Sequence, residues 1–246
     1  MHGSLGRAGA LEAIRKNIAS RGFHTYVITG AKVPNYTYTI GLSPALGSEI
    51  VLAGAYYYRL DELSGILNAI AEQLRAPVSW ETRRVELNSS WGAFSFRKIH
   101  PSWEPLLIGG ALDFYQVKEV SAFQVLPDDV HWTIGIPNLS VQFSPKTVEA
   151  GWRWLKDEWP YSIPQNSVAL TNLDALRGTR ITEAARWEED QWELFAGAGP
   201  DIPDHERRVV PLGMLLEADR SLSVVVNLKI GAGVRRDEVS EWQPWA

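Results

Sequence analysis

Asp128, Asp129 and His131 are the closest approach in this chain to a metal or acid/base cluster. Two carboxylates and an imidazole within four residues could hold a divalent ion or a water. The same residues also read as a polar turn in which Asp128 caps its own backbone after Pro127, and the lack of a second ligand cluster favours that reading. His100, in His100-Pro-Ser-Trp103, adds an imidazole only if the fold brings it there. A second polar group, His24, Tyr36 and Tyr38, falls on strand faces, where a histidine is usually a hydrogen-bonded sheet residue. A third is the acidic turn Glu188-Glu189-Asp190, flanked by Trp187 and Trp192. Such a turn is ordinarily solvated surface, but indoles rimmed by charge are a common interface composition.

Other chemistries lack their residues. The chain has no cysteine, which removes disulfides, thiolate catalysis and cysteine-ligated zinc. Histidines at 24, 100, 131 and 205 show no spacing for a closed four-ligand site, so no structural metal is expected and no cofactor is implied. There is no Gly-x-Ser-x-Gly elbow, although a triad is recognised by geometry and not by order. Gly109-Gly110 and Gly231-Ala-Gly233 lack the strand-loop-helix setting and Lys-Ser/Thr ending of a phosphate loop. No run approaches the ~18 apolar residues of a membrane span, and the start lacks an export signal, so a cytoplasmic protein is expected.

The net charge of −5 is uneven. Residues 1–147 hold 13 Lys/Arg and 12 Asp/Glu, whereas residues 148–246 hold 11 and 17, a net of −6. That disfavours nucleic acid as a partner of the second half and favours a basic protein.

These groups must be positioned by recognisable elements. Residues 9–22 carry Leu11, Ile14 and Ile18 on one helical face, with Gly22 as C-cap. Phe23–Thr29 and Tyr36–Leu42 read as a hairpin; in the second strand Tyr36, Tyr38, Ile40 and Leu42 alternate with Thr37, Thr39 and Gly41. Glu49–Gly54 is a further strand. A helix over 61–75 has Leu60, Leu63, Leu67, Ile70, Ala71 and Leu74 as its stripe, with Asp61 as N-cap and Pro77 beyond it. Phe94 and Phe96 mark another strand, residues 101–117 a helix opened by Pro101, and Val120–Leu126 a last strand. This order predicts an α+β fold, a mainly antiparallel sheet with helices on one side. It occupies residues 9–145. Residues 146–166, with Trp152, Trp154 and Trp159, form a connector whose 148/152/155/159 spacing predicts a short helix joining the halves. Residues 167–246 form a smaller α+β unit. It contains the Trp187–Trp192 hairpin, a strand at Val209–Val210 and a helix opened by Pro211, and Val224–Leu228 and Gly231–Arg236 complete it.

The pattern Tyr38-Thr-Ile-Gly-Leu42, a loop and Glu49-Ile-Val51 resembles family 4262 of the bacterial domains of unknown function, as does Phe123-Gln-Val-Leu-Pro-Asp128. The likeness extends over about residues 9–140 and supplies no activity. It departs downstream, where His131-Trp-Thr-Ile replaces a Phe-Pro-Trp-like ending. Residues 167–246 resemble family 33 of the immunity proteins of bacterial polymorphic toxin systems, through the runs at 192–197, 208–212 and 217–222, then Gly233–Arg236 and Trp242. That resemblance implies a protein-binding, immunity-like role, with the acidic surface docking on a basic toxin. The alternatives are an enzyme, or a module for a small ligand, using the His24/Tyr36/Tyr38 face or the Asp128–His131 corner.

Overall fold

The computed structural model describes residues 6–74, 79–237 and 241–245. Two six-stranded sheets organise it, one drawn from the first half of the chain and one from the second. In the first half the order is α1 (Arg7–Arg21), β1 (His24–Ile28), β2 (Tyr36–Ile40), α2 (Ser43–Leu46), β3 (Glu49–Ala53), α3 (Leu63–Gln73), β4 (Arg84–Glu86), β5 (Ala93–Lys98), α4 (Glu104–Leu107), α5 (Gly109–Tyr115) and β6 (Ala122–Pro127). The strands lie in the order β1-β2-β3-β6-β5-β4. All pairs are antiparallel except β3 with β6.

The α+β class and the mostly antiparallel pairing agree with the sequence reading, but helices cover both faces of this sheet and not one. Alternation along β3 shows why. Ile50 and Leu52 pack with Leu63, Ile66, Leu67 and Ile70 of α3, while Val51 and Ala53 pack with Ile14 of α1, Leu107 of α4 and Ala111 of α5. Both faces of β2 are therefore buried, and Thr37 and Thr39 are as enclosed as Ile40.

One carboxylate fixes the turn between β2 and β3. Glu49 is fully buried. Its Oε1 accepts from the amides of Gly41 (3.1 Å) and Ser43 (2.9 Å) and from the Tyr115 hydroxyl (2.6 Å). Its Oε2 accepts from the Thr39 hydroxyl (2.7 Å) and the Leu42 amide (3.3 Å). Thr39, Gly41, Leu42 and Glu49 all belong to the motif that carries the first resemblance. Gly41 has φ +117° and sits against the Gly22 carbonyl and Ile18, so a side chain there meets both backbone strain and a clash.

Several element boundaries differ from expectation. The helix of 61–75 is α3, starting at Leu63; Asp61 does not cap it, Leu60 is exposed, and residues 75–78 lie outside the described residues. The helix of 101–117 is a 3-10 turn, Pro101–Trp103, followed by α4 and α5, which are separated by a break at the non-helical Ile108 (φ −118°). The connector helix is a single 3-10 turn, Trp152–Leu155. Its indoles nevertheless hold both sides: Trp152 donates to the Gly135 carbonyl (2.8 Å) and Trp154 to the Gly213 carbonyl (3.4 Å).

The second half runs β7 (Val168–Asn172), α6 (Leu173–Leu176), β8 (Glu183–Arg186), β9 (Gln191–Phe195), β10 (Arg207–Pro211), α7 (Leu212–Ala218), β11 (Gly233–Arg235) and β12 (Gln243–Pro244), in the order β10-β7-β9-β8-β11-β12. Residues 220–227, β-branched at 224–226, form a 3-10 segment capped by the Asp219 side chain. Arg208 ties this unit to the first by donating to the Tyr56 (3.0 Å) and Tyr57 (3.1 Å) carbonyls. Among the described residues no helix is long and apolar enough to cross a membrane.

Glu49→Gln should destabilise the protein by about 2–4 kcal/mol, since the amide NH2 would face at least two donors that now share a carboxylate oxygen. Urea unfolding checks this; a loss below about 0.5 kcal/mol, the range of ordinary surface changes, would contradict it.

Candidate functional site

The acidic hairpin is built by β8 and β9, paired Glu183↔Phe195, Ala184↔Leu194, Ala185↔Glu193 and Arg186↔Trp192. This register sends the two flanking tryptophans to opposite faces. Trp192 lies with Ala184 and Leu194 in the core and is 2% exposed, so it is not part of a binding surface. Trp187 is 48% exposed, and its neighbour is Trp245, 40% exposed, with ring centroids 6.4 Å apart. The second surface indole is thus supplied by the chain's C-terminal end.

Arg186 shapes the turn. Its guanidinium donates to the carbonyls of Glu188 (3.1 Å), Glu189 (2.8 Å) and Leu228 (3.0 Å) and covers the Trp192 ring at 4.6 Å. It binds the backbone of the acidic residues, leaving their carboxylates unneutralised. Glu188, Glu189 and Asp190 form no ion pair among the described residues; Glu188 only accepts from Gln191. Under the indoles runs a groove of about 350 Å³ lined by Trp187, Trp245, Phe195, Glu183, Glu193 and Arg207. Glu183 accepts from the Gly199 amide (2.8 Å), and Arg207 pairs with Asp204 (3.3 Å). Glu193 has no such partner among the described residues. Two indole faces beside free carboxylates suit a cationic side chain.

Asp128 and His131 meet, whereas Asp129 is exposed and makes no ion pair among the described residues. Asp128 Oδ1 accepts from His131 Nδ1 at 2.5 Å and from the His131 amide at 3.3 Å; Oδ2 accepts from the Ala93 amide at 2.9 Å. The imidazole stacks on Tyr58 and meets Tyr57 edge-on, with Gly92 close against it. This is a capped turn that fastens β6 to β5. Burial works against the Asp128 carboxylate, but the hydrogen bonds from His131 and Ala93 outweigh it and hold its pKa below the ordinary value.

His24, Tyr36 and Tyr38 lie elsewhere, on the face of the first sheet covered by α1 and α5, so the two polar groups do not share a pocket. Rings run His24–Tyr26–Tyr38–Tyr36 in sequence, at 4.6, 5.5 and 6.3 Å. Burial, with Arg21 adding, lowers the His24 pKa, and burial raises those of Tyr36 and Tyr38. These are groups held neutral inside a sheet. Among the described residues no three His, Asp or Glu side chains are grouped to hold a metal ion.

Residues 17–131 match the model of a domain of unknown function, DUF4262. The DUF4262 match contains the Glu49 turn and stops at His131, leaving the connector and the second sheet outside it. It is shorter at both ends than the span of 9–140 read from the sequence. Comparison with curated proteins and with solved structures gave no match.

The sequence reading missed Glu193, Arg186 and Trp245. Strict alternation along the strand from Trp192 would have placed Glu193 on the opposite face, with Trp187. For Trp245 no local signal existed, since its position depends on the β11–β12 pairing.

Two variants separate the tryptophans. Trp192→Ala should cost about 3–5 kcal/mol of stability as a core truncation, and Trp187→Ala no more than about 1 kcal/mol; equal losses in urea unfolding would contradict the assignment. Asp128→Asn should cost about 1–3 kcal/mol at neutral pH. Because the folded-state pKa is depressed, that contribution is complete above the unfolded value near 4 and is lost as pH falls through the folded value. The gap between wild type and variant should therefore close in acid; a pH-independent gap would contradict it.

Proposed function

We propose that this protein acts by binding a basic protein through the acidic, indole-bearing face of its second sheet, in the manner of an immunity protein that neutralises a toxin. The carrying observation is the juxtaposition of exposed Trp187 and Trp245 with carboxylates that pair with no cation among the described residues, at 188–190 and 193. Indoles provide large contact area and cation–π attraction, and unpaired carboxylates steer a positive partner. The excess of six negative charges in residues 148–246 extends that field.

The resemblance to immunity family 33 supports the fold of the unit more than its surface. Trp192 and Leu194 are core, Arg208 binds the first half, and Asp219 pairs with Arg236 at 2.9 Å beneath Trp242.

The test places a photo-cross-linking residue at Glu189, and at Glu86 as a control, in cells of the native host, with captured species identified by mass spectrometry. The reading predicts a basic protein captured at 189 only. Its association should slow with added salt, since exposed charges are screened beyond roughly 8–10 Å. It should slow further with Glu188→Lys, Glu189→Lys and Asp190→Lys combined, stability changing by no more than about 0.5 kcal/mol per site. Equal capture at both positions, or an unchanged rate in the triple variant, would sink it.

A further inference from the structure

A second cleft, of about 720 Å³, lies between the two halves and away from the acidic face. That volume falls within the roughly 300–1,000 Å³ of sites for small organic ligands. Its walls come from β5, β6, the segment after His131, the connector and the end of α7. Leu126 and Ile136 give it an apolar floor, and Trp132, 40% exposed, presents an indole to it.

Its charge runs against that of the chain. Arg97, Lys146, Arg153 and Arg220 line it, opposed by Glu149 and Glu217. Arg153 is already engaged, with Asp157 at 2.8 Å and Glu217 at 3.2 Å, which also accounts for Glu217. Arg97, Lys146 and Arg220 make no ion pair or side-chain hydrogen bond among the described residues. Three free cations against the single free carboxylate of Glu149 leave the cleft positive on a chain whose net charge is −5.

We propose that this cleft binds a small organic anion with a doubly charged head and a flat apolar body, the chemistry shared by nucleoside monophosphates and aromatic dicarboxylates. The guanidinium forks of Arg97 and Arg220 match a phosphate or carboxylate head in two-point fashion, and Lys146 adds a point charge. The flat body lies over the apolar floor against Trp132, where stacking adds to burial. The ligand touches both halves, so it stabilises the folded chain by mass action. This site is independent of the acidic face.

The test titrates the full chain calorimetrically, at low salt, with adenosine monophosphate, phthalate, adenosine and inorganic phosphate. Saturable binding of adenosine monophosphate or of phthalate is expected, at least about tenfold tighter than adenosine or inorganic phosphate, and the tighter of the two identifies the head group. Arg97→Ala, Arg220→Ala and Trp132→Ala should each weaken it by about tenfold, with the free protein's thermal midpoint little changed because these side chains are exposed. The Glu188/Glu189/Asp190 charge reversal should leave it unaltered. Failure of both anions to bind at about 10 mM, binding indifferent to the three variants, or inorganic phosphate binding as tightly as the organic anions would overturn the proposal.

Discussion

The buried carboxylate of Glu49 is the constraint on which the first half depends. A carboxylate removed from water is tolerated only when its oxygens are fully engaged, and here five donors from four turn residues and Tyr115 engage them. To satisfy Glu49, β2 must turn at Gly41, α2 must start where its amides point inward, and Tyr115 must bring α5 onto the sheet. One buried charge thus sets the spacing of two strands, a turn and a helix. The Thr-Ile-Gly-Leu…Glu pattern inside the DUF4262 match is, in this chain, the sequence trace of that geometry.

The same logic separates structural from available chemistry. Asp128 and His131 satisfy each other and close β5 against β6, and His24, Tyr36 and Tyr38 belong to a row of rings on one covered face of the first sheet. Groups in the second half behave differently. Arg186 binds carbonyls and not carboxylates, so the acids at 188–190 keep their charge toward solvent beside two indoles. The connector keeps both units together through Trp152 and Trp154, and the cleft it walls gathers three cations, Arg97, Lys146 and Arg220, that make no ion pair among the described residues.

What the sequence disclosed followed local physics. Period-two alternation located β2, and a Gly after a helical stripe placed the end of α1 at Gly22, which has φ +89°. Non-local physics was hidden. Helices on both faces follow from β3 being apolar at successive positions, which is compatible with one buried face or two. Trp192 and Trp187 look equivalent in sequence and are separated only by strand register. The valines at 224–226 favour a strand, yet the Asp219 cap and the Asp219–Arg236 pair hold that segment as a 3-10 turn. The role of Glu49 could have been inferred from an acid opening an otherwise apolar strand, because such a charge must be paid for by donors nearby.

If the Glu49 carboxylate is the clamp that makes the first half's motif structural, its backbone donors are closed to water in the native state. Amide hydrogen exchange reads this residue by residue. The account predicts that Gly41, Leu42 and Ser43, although they lie in a turn, exchange only through global unfolding, in the same slow class as Val51 and Leu52 of β3. Rapid exchange at 41–43 while β3 stays protected would show an open turn, and would contradict the claim that the carboxylate holds it.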